Sequence, residues 1–152
     1  MKRIFGATGM LAALGVFLSF WWTRRRQLPC PPWLTGILEV PYFNLAAGGQ
    51  LLLDRAGVRG GMRLLDAGCG PGRVTIPAAE RVGPEGSVTA LDLQPGMLEQ
   101  MVRRVNERGL SNVQPILGGL GEGHLPANTF DRALLVTVLG EIPDPVAALR
   151  EE

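Results

Sequence analysis

RLLDAGCGPGR, residues 63–73, passes within eleven positions from a short apolar run to alternating glycines. The apolar run predicts a strand, and the apolar segment that follows from Val74 predicts a helix. The glycines allow a sharp turn and leave no Cβ between the backbone and a ligand. A helix that begins directly after such a turn offers N–H groups and the positive end of its dipole to a carboxylate or phosphate. This stretch therefore predicts a nucleotide-cofactor loop after the first strand of an α/β sheet.

The spacing of the glycines distinguishes two kinds of cofactor. Gly68, Gly70 and Gly72 give G-x-G-x-G, whereas the dinucleotide fingerprint is G-x-G-x-x-G. Asp66 lies two residues before the first glycine, where a carboxylate suits a ligand with an amino group better than a pyrophosphate. With this acid, the loop resembles motif I of the class I S-adenosylmethionine-dependent methyltransferases. An incidental glycine turn and a nicotinamide-binding module are the alternatives.

A second acid supports the same interpretation. Ser87–Asp92 is an apolar run that ends in a carboxylate, and Asp92 comes twenty positions after Gly72. An acid at about that distance accepts hydrogen bonds from a ribose diol. An aspartate in front of the helix expected from Pro95 is also a common helix cap. The two roles are compatible with each other.

Length and composition limit the classes of function. The 152 residues suffice for one domain, and a formal net charge of +1 gives no basic excess for binding nucleic acid. Cys30 and Cys69 form neither a disulfide framework nor a metal-binding spacing, so no metal is expected. The 21 glycines and 12 prolines lie between apolar segments, which predicts many turns rather than disorder.

The amino-terminal residues 1–26 predict a single-pass membrane anchor. Ile4–Trp22 carries no charge over 19 residues, and a helix of that length spans roughly 28 Å, close to the hydrocarbon thickness of a bilayer. Two tryptophans end the segment and three arginines follow it, as at a membrane interface. A cleaved signal peptide is the alternative, although no small-residue cleavage site precedes the arginines. The basic residues on the two sides of the segment are nearly balanced, so the charge rule does not decide its orientation. Because the cofactor of the resembling family is cytosolic, the domain is expected on the cytoplasmic side.

Residues 27–57 are expected to form a proline-rich juxtamembrane segment and a leading helix over Leu45–Ala56 that stops at Gly57. The resemblance implies that Tyr42 and Phe43 belong to a lid over the cofactor, whereas core packing is the ordinary explanation of such aromatics. Residues 58–152 are then the cofactor-binding half of a methyltransferase domain.

Within that half, periodicity predicts helices over residues 74–82 and 95–108, strands over 113–117 and 132–139, and a helix from Pro145 to Glu152. Pro115 places the third strand at an edge, and the apolar fourth strand is expected in the middle of a sheet. Residues 128–151 resemble the quinone-biosynthesis and arsenite methyltransferase-like group. The family's strand order, 3-2-1-4-5-7-6, implies a partial Rossmann-like α/β sheet of order 3-2-1-4. The chain ends where the fifth strand would pair, which suggests a truncated product or a fragment.

The resemblance implies a set of cofactor-binding residues: Asp66, Gly68, Cys69, Gly70, Gly72, Asp92, Leu93, Met97, Gly119, Leu120 and Val138. Asp66 would bind the methionyl ammonium directly or through water, and Asp92 the ribose hydroxyls. Many members of this family have an acid that binds the adenine at the position of Gly119, and this chain lacks it. Leu120 could still pack on the adenine, and Glu122 would have to reach back toward it to replace the acid.

The function that this pattern indicates is a membrane-anchored methyltransferase that acts on a small or lipophilic acceptor. Methyl transfer is an in-line displacement in which alignment supplies much of the catalysis, so no nucleophile is required. Residues 137–141 would face the acceptor, with Glu141 either a general base or an exposed acid before a helix. His124 is expected to be a solvated loop residue. The alternative is a truncated, non-catalytic nucleotide-binding domain.

Overall fold

The computed structural model describes residues 48–140, 142 and 144–148. This part of the chain contains four helices and four strands, in the order α1 (Gly49–Arg55), β1 (Arg63–Ala67), α2 (Thr75–Val82), β2 (Ser87–Asp92), α3 (Pro95–Glu107), β3 (Val113–Leu117), β4 (Arg132–Leu135) and α4 (Pro145–Ala148). From β1 to β3 the order is that of two successive strand–helix–strand units, which produce parallel strands.

The four strands form one parallel sheet of order β3-β2-β1-β4. The order predicted from the sequence is confirmed. β3 lies at an edge, where Pro115 is opposite Ala90 and its missing N–H breaks no central ladder. β1 and β2 are buried beyond their first residues because both faces of the sheet are covered.

Alternation along the strands divides the core between the two faces of the sheet. On one face, Leu64 and Val88 pack with apolar residues of α1 and α2, and α3 adds a second cluster around Met101. On the other face, Leu65 and Leu91 pack against residues of the connection between β3 and β4. Asp66 follows Leu64 by two residues in β1 and therefore lies on the same face of the sheet, beneath the helices.

The fourth strand is shorter than predicted. It ends at Leu135 rather than Leu139 because the backbone leaves the extended conformation two residues later, where Thr137 has a φ of +66°. The side chain of Leu139 is 46% exposed. Within the described residues β4 is the outer strand next to β1, as the predicted partial order 3-2-1-4 implies.

The helix boundaries shift by small amounts from those predicted. α1 begins at Gly49, because Gly48 is extended with a ψ of 140°, and residues 45–47 of the predicted helix lie outside the described residues. α2 begins at Thr75 after Val74, and α3 ends at Glu107, one residue before the predicted Arg108. α4 is described only over Pro145–Ala148.

The predicted anchor Ile4–Trp22, the proline-rich segment that follows it, and Tyr42 and Phe43 lie outside the described residues. No helix in the described part of the chain is long and apolar enough to cross a membrane.

Candidate cofactor site

Two buried carboxylates lie at the same edge of the sheet. Asp66 is the penultimate residue of β1 and Asp92 is the last residue of β2, its parallel neighbour. Their side chains are only 2% and 7% exposed. Carboxyl ends of parallel strands are where α/β sheets bind ligands, so the two acids predicted from separate motifs occupy one place in the fold.

The glycine loop between β1 and α2 is fixed to the end of β2 by its own backbone. The N–H groups of Gly68 and Cys69 both donate to the carbonyl of Leu91, at 2.8 and 3.0 Å, and Gly72 donates to the carbonyl of Cys69 at 3.1 Å. These bonds satisfy most of the loop's donors internally. The loop is therefore preformed.

The three glycines of the loop differ in what surrounds them. A Cβ on Gly68 would collide with the side chain of Val138, and one on Gly72 would lie 2.9 Å from the Cγ of Met101. A Cβ on Gly70 would meet no atom within 4 Å, although its φ of +54° strains any other residue. Gly68 and Gly72 thus allow close packing of the protein, while Gly70 faces open space that a ligand can enter.

Asp92 is held by backbone donors from two elements. Its Oδ2 accepts the N–H of Gly70 at 2.8 Å, and its Oδ1 accepts the N–H of Gln94 at 2.9 Å, directly before α3. The carboxylate therefore connects the glycine loop to the start of α3. Each carboxylate oxygen has further acceptor capacity, so this arrangement still permits bonds from ribose hydroxyls.

Asp66 is bound by a residue that the sequence analysis missed. Its Oδ2 accepts a 2.6 Å hydrogen bond from the hydroxyl of Thr75, the first residue of α2. The sequence did contain a signal for this contact, namely a threonine at the start of the helix that follows the strand with Asp66.

Burial is the main reason why the pKa of Asp66 is raised from 3.8 to about 6. The hydroxyl of Thr75 opposes this effect, Asp92 adds to it through charge repulsion, and the N–H of Thr75 and the charge of Arg73 lower the pKa. A positive group placed next to Asp66 would favour its ionised form.

Cys69 is buried, and desolvation raises the pKa of its thiol far above the ordinary value, with Asp66 and Asp92 adding to the effect. A neutral thiol is a weak nucleophile, so Cys69 contributes packing and backbone to the loop rather than covalent chemistry.

The apolar residues expected to bind the cofactor, Leu93, Met97 and Leu120, differ in their exposure. Leu93 is 57% exposed just beyond β2 and is available to a ligand, whereas Met97 is 3% exposed within α3. Leu120 is half-buried against the cluster that contains Leu91 and Leu125. In this structure Met97 and Leu120 therefore contribute to packing, and only Leu93 presents an exposed side chain.

Glu122 does reach back to Gly119. Its Oε2 accepts the N–H of Gly119 at 2.8 Å, and a Cβ on Gly119 would lie 2.9 Å from its Oε1. The Gly119 N–H, followed by His124, lowers the pKa of Glu122. His124 is exposed, as expected for a solvated loop residue, and its ring lies 3.2 Å from the Glu122 carboxylate and packs on Gly118.

After β4, Thr137 has a positive φ and its hydroxyl donates to the carbonyl of Val136 at 2.6 Å. A β-branched residue in this region is strained, and such strain is concentrated at functional sites. Val138 then contacts Gly68. Glu141 lies outside the described residues, and the described residues contain no group of three His, Cys, Asp or Glu that could bind a metal.

Comparison with known proteins agrees with this geometry. A family model described as a methyltransferase domain matches residues 64–151. Nocamycin O-methyltransferase from Saccharothrix syringae is 41% identical over 121 residues, covering 77% of this chain and 42% of that protein. Demethylmenaquinone methyltransferase from Geobacillus stearothermophilus is 38% identical over 100 residues, covering 66% of this chain and 43% of that protein.

Among solved structures, a SAM-dependent methyltransferase from Aquifex aeolicus superposes with a TM-score of 0.74 at 28% identity, covering 81% of this chain and 65% of that one. The chain belongs to the class I S-adenosylmethionine-dependent methyltransferases, and S-adenosylmethionine is the cofactor of that family. It spans less than half the length of the two curated relatives.

The raised pKa of Asp66 predicts a pH-dependent stability. The folded carboxyl binds a proton at a higher pH than the unfolded one, so its stabilising contribution is present below about pH 4 and is lost as the pH rises through about 6. Lowering the pH from 7 to 5 should therefore stabilise the unliganded wild type relative to Asp66→Asn by about 1 kcal/mol. Urea unfolding of both proteins at the two pH values measures this difference. An unchanged difference would contradict the assigned environment of Asp66.

Proposed function

We propose that this protein binds S-adenosylmethionine and transfers its methyl group to a small, lipophilic acceptor. The observation that carries the proposal is the open space at Gly70 next to two buried carboxylates, Asp66 and Asp92. A ligand in that space would meet glycine backbone on one side and negative charge on the other. S-adenosylmethionine offers a matching set of groups: an ammonium, a sulfonium and a ribose diol.

In this proposal, different residues bind different groups of the cofactor. Asp66, supported by Thr75, attracts the methionyl ammonium directly or through water, because a buried carboxylate interacts strongly with a positive group. Asp92 accepts hydrogen bonds from the ribose while it continues to accept those of Gly70 and Gln94. Leu93 supplies an exposed apolar surface beside the adenine.

The reaction needs alignment more than a reactive side chain. A lone pair of the acceptor attacks the methyl carbon, the bond from that carbon to sulfur breaks, and its electron pair stays on sulfur, which becomes a neutral thioether. Orientation of the two reactants supplies much of the rate in such a displacement. Thr137 and Val138, beyond β4, are the described residues best placed to face the acceptor, since Val138 contacts Gly68.

Two observations support a small, lipophilic acceptor. The relatives are named for methylation of nocamycin and demethylmenaquinone, which are small molecules. The uncharged segment Ile4–Trp22 with its basic flanks would hold the domain at a membrane surface, where lipophilic molecules concentrate. We place the domain on the cytoplasmic side, where S-adenosylmethionine is available.

Calorimetry on the full chain with S-adenosylmethionine, S-adenosylhomocysteine and NAD tests the cofactor assignment. Binding of the first two without NAD supports the proposal. Binding of NAD alone would indicate a nicotinamide-binding module, and binding of none of the three would indicate a domain without this function. Turnover is tested separately, with labelled S-adenosylmethionine and a quinone precursor as acceptor.

Gly70→Ala separates a ligand-binding loop from a simple turn. Its positive φ should cost the unliganded protein about 1 kcal/mol of stability. Gly109→Ala is the matched control, because Gly109 has a φ of +66° and equally open space at the end of α3. Only Gly70→Ala should also lose affinity for S-adenosylhomocysteine, by about tenfold or more, since its methyl enters the ligand's volume. Native affinity in a folded Gly70→Ala protein would refute the site.

Asp92→Ala should weaken binding of S-adenosylmethionine by about tenfold or more, because a charged acceptor for two hydroxyls is lost. Some loss of stability is expected as well, since Gly70 and Gln94 lose their acceptor. Asp131→Ala is the control, because Asp131 also accepts a backbone N–H, at 2.7 Å from Arg63, but at the opposite end of the sheet. Equal affinities of the two variants by calorimetry would remove Asp92 from the site.

The anchor is tested by fractionation. The full chain should remain in the membrane pellet after a carbonate wash and should retain its original amino terminus, because an uncharged 19-residue helix stays in the bilayer. A protein that starts after residue 26 and is released by the wash would show that the segment is a cleaved signal.

A further inference from the structure

Thr75 donates the closest described hydrogen bond to Asp66. The hydroxyl of Thr75 lies 2.6 Å from Oδ2 of Asp66, and both side chains are almost completely buried, at 0% and 2% exposure. The two residues come from different elements, since Asp66 belongs to β1 and Thr75 begins α2. A buried hydroxyl in this position has one oriented partner and little freedom to change it.

The usual alternative partner for a threonine hydroxyl in a helix is the carbonyl four residues earlier. For Thr75 that carbonyl belongs to Pro71, and it accepts a 3.2 Å bond from Nη1 of Arg104 in α3. The Thr75 hydroxyl instead points to the carboxylate. Its direction is therefore set by the carboxylate beneath the glycine loop rather than by the helix.

We propose that Thr75 is a positioning residue for cofactor binding, whose hydroxyl holds the Asp66 carboxylate ready to accept the ammonium group of the cofactor. This inference rests on the function proposed above. Thr75 itself touches no part of the cofactor in this arrangement, because it lies behind the carboxylate and is completely buried. It acts through Asp66 alone.

The charges around Asp66 explain why a neutral donor matters there. Asp92 on β2 repels the ionised carboxylate, the buried Cys69 thiol is neutral, and Arg73 in the loop attracts it more weakly than the Thr75 bonds do. The Thr75 hydroxyl lowers the pKa of Asp66, whereas burial and Asp92 raise it. Removing the hydroxyl therefore raises this pKa further. More of the protein then carries a protonated Asp66 near neutral pH, and that form cannot bind an ammonium strongly.

The test compares Thr75→Val, which keeps the shape and removes the donor, with Thr75→Ser, which keeps the donor. Affinity for S-adenosylhomocysteine is measured by calorimetry on the full chain from pH 5 to pH 7.5, where the ligand's own amino group stays charged. Thr89→Val is the matched control, a second buried threonine, on β2. 5′-Methylthioadenosine, which lacks the amino-acid end, is measured in parallel.

For the wild type we expect the affinity for S-adenosylhomocysteine to fall about tenfold between pH 7 and pH 5, following protonation of Asp66. Thr75→Val should bind about fivefold or more weakly at pH 7, with the midpoint of its pH profile at higher pH. Thr75→Ser and Thr89→Val should behave as the wild type. Binding of 5′-methylthioadenosine should be the same in all four proteins.

Thr75→Val with the wild-type midpoint would overturn the inference while leaving the proposed function intact, as would an equal, pH-independent loss for both ligands. Failure of the wild type to bind either ligand would instead overturn the proposed function. If Thr75→Val does not fold, Thr75→Cys replaces it, since a thiol of similar size is a much weaker donor, and the same two outcomes then decide.

Discussion

Burial of two carboxylates at adjoining strand ends is the constraint on which the rest of this site depends. Asp66 and Asp92 repel one another, and neither can be desolvated without donors. The donors come from the chain that immediately follows the strands: Thr75 for Asp66, and Gly70 and Gln94 for Asp92. The path of the glycine loop and the starts of α2 and α3 are therefore determined together by the two acids.

The helix α3 then supports the loop from outside. Met101 packs where a side chain on Gly72 would otherwise be, and Arg104 donates to the carbonyl of Pro71. These contacts hold the middle of the loop against the sheet, so that Gly70 remains the position with open space in front of it. The bare backbone at Gly70 is held in place here because the neighbouring Gly72 packs closely against α3.

The parts of this structure that follow from local patterns could be predicted from the sequence. β2 and β3 have the predicted bounds, and the strand order follows from Pro115 together with the family resemblance. The contacts that were missed join residues far apart in the chain, such as Val138 on Gly68, and have no periodic signal. The end of β4 was misjudged because every residue from Ala133 to Leu139 is apolar except Thr137. Threonine is common in strands, so the sequence gives no sign that Thr137 adopts a left-handed conformation.

The unliganded site has an imbalance of charge that a ligand can correct. Ionising Asp66 costs stability because the residue is buried beside Asp92, and Arg73 offsets only a small part of that cost. A ligand that brings positive charge would favour the ionised form and would recover this energy on binding. An anionic pyrophosphate would add to the repulsion instead. The charge around Asp66 therefore discriminates between the two cofactor classes independently of the glycine spacing, and it favours a cofactor with an ammonium and a sulfonium.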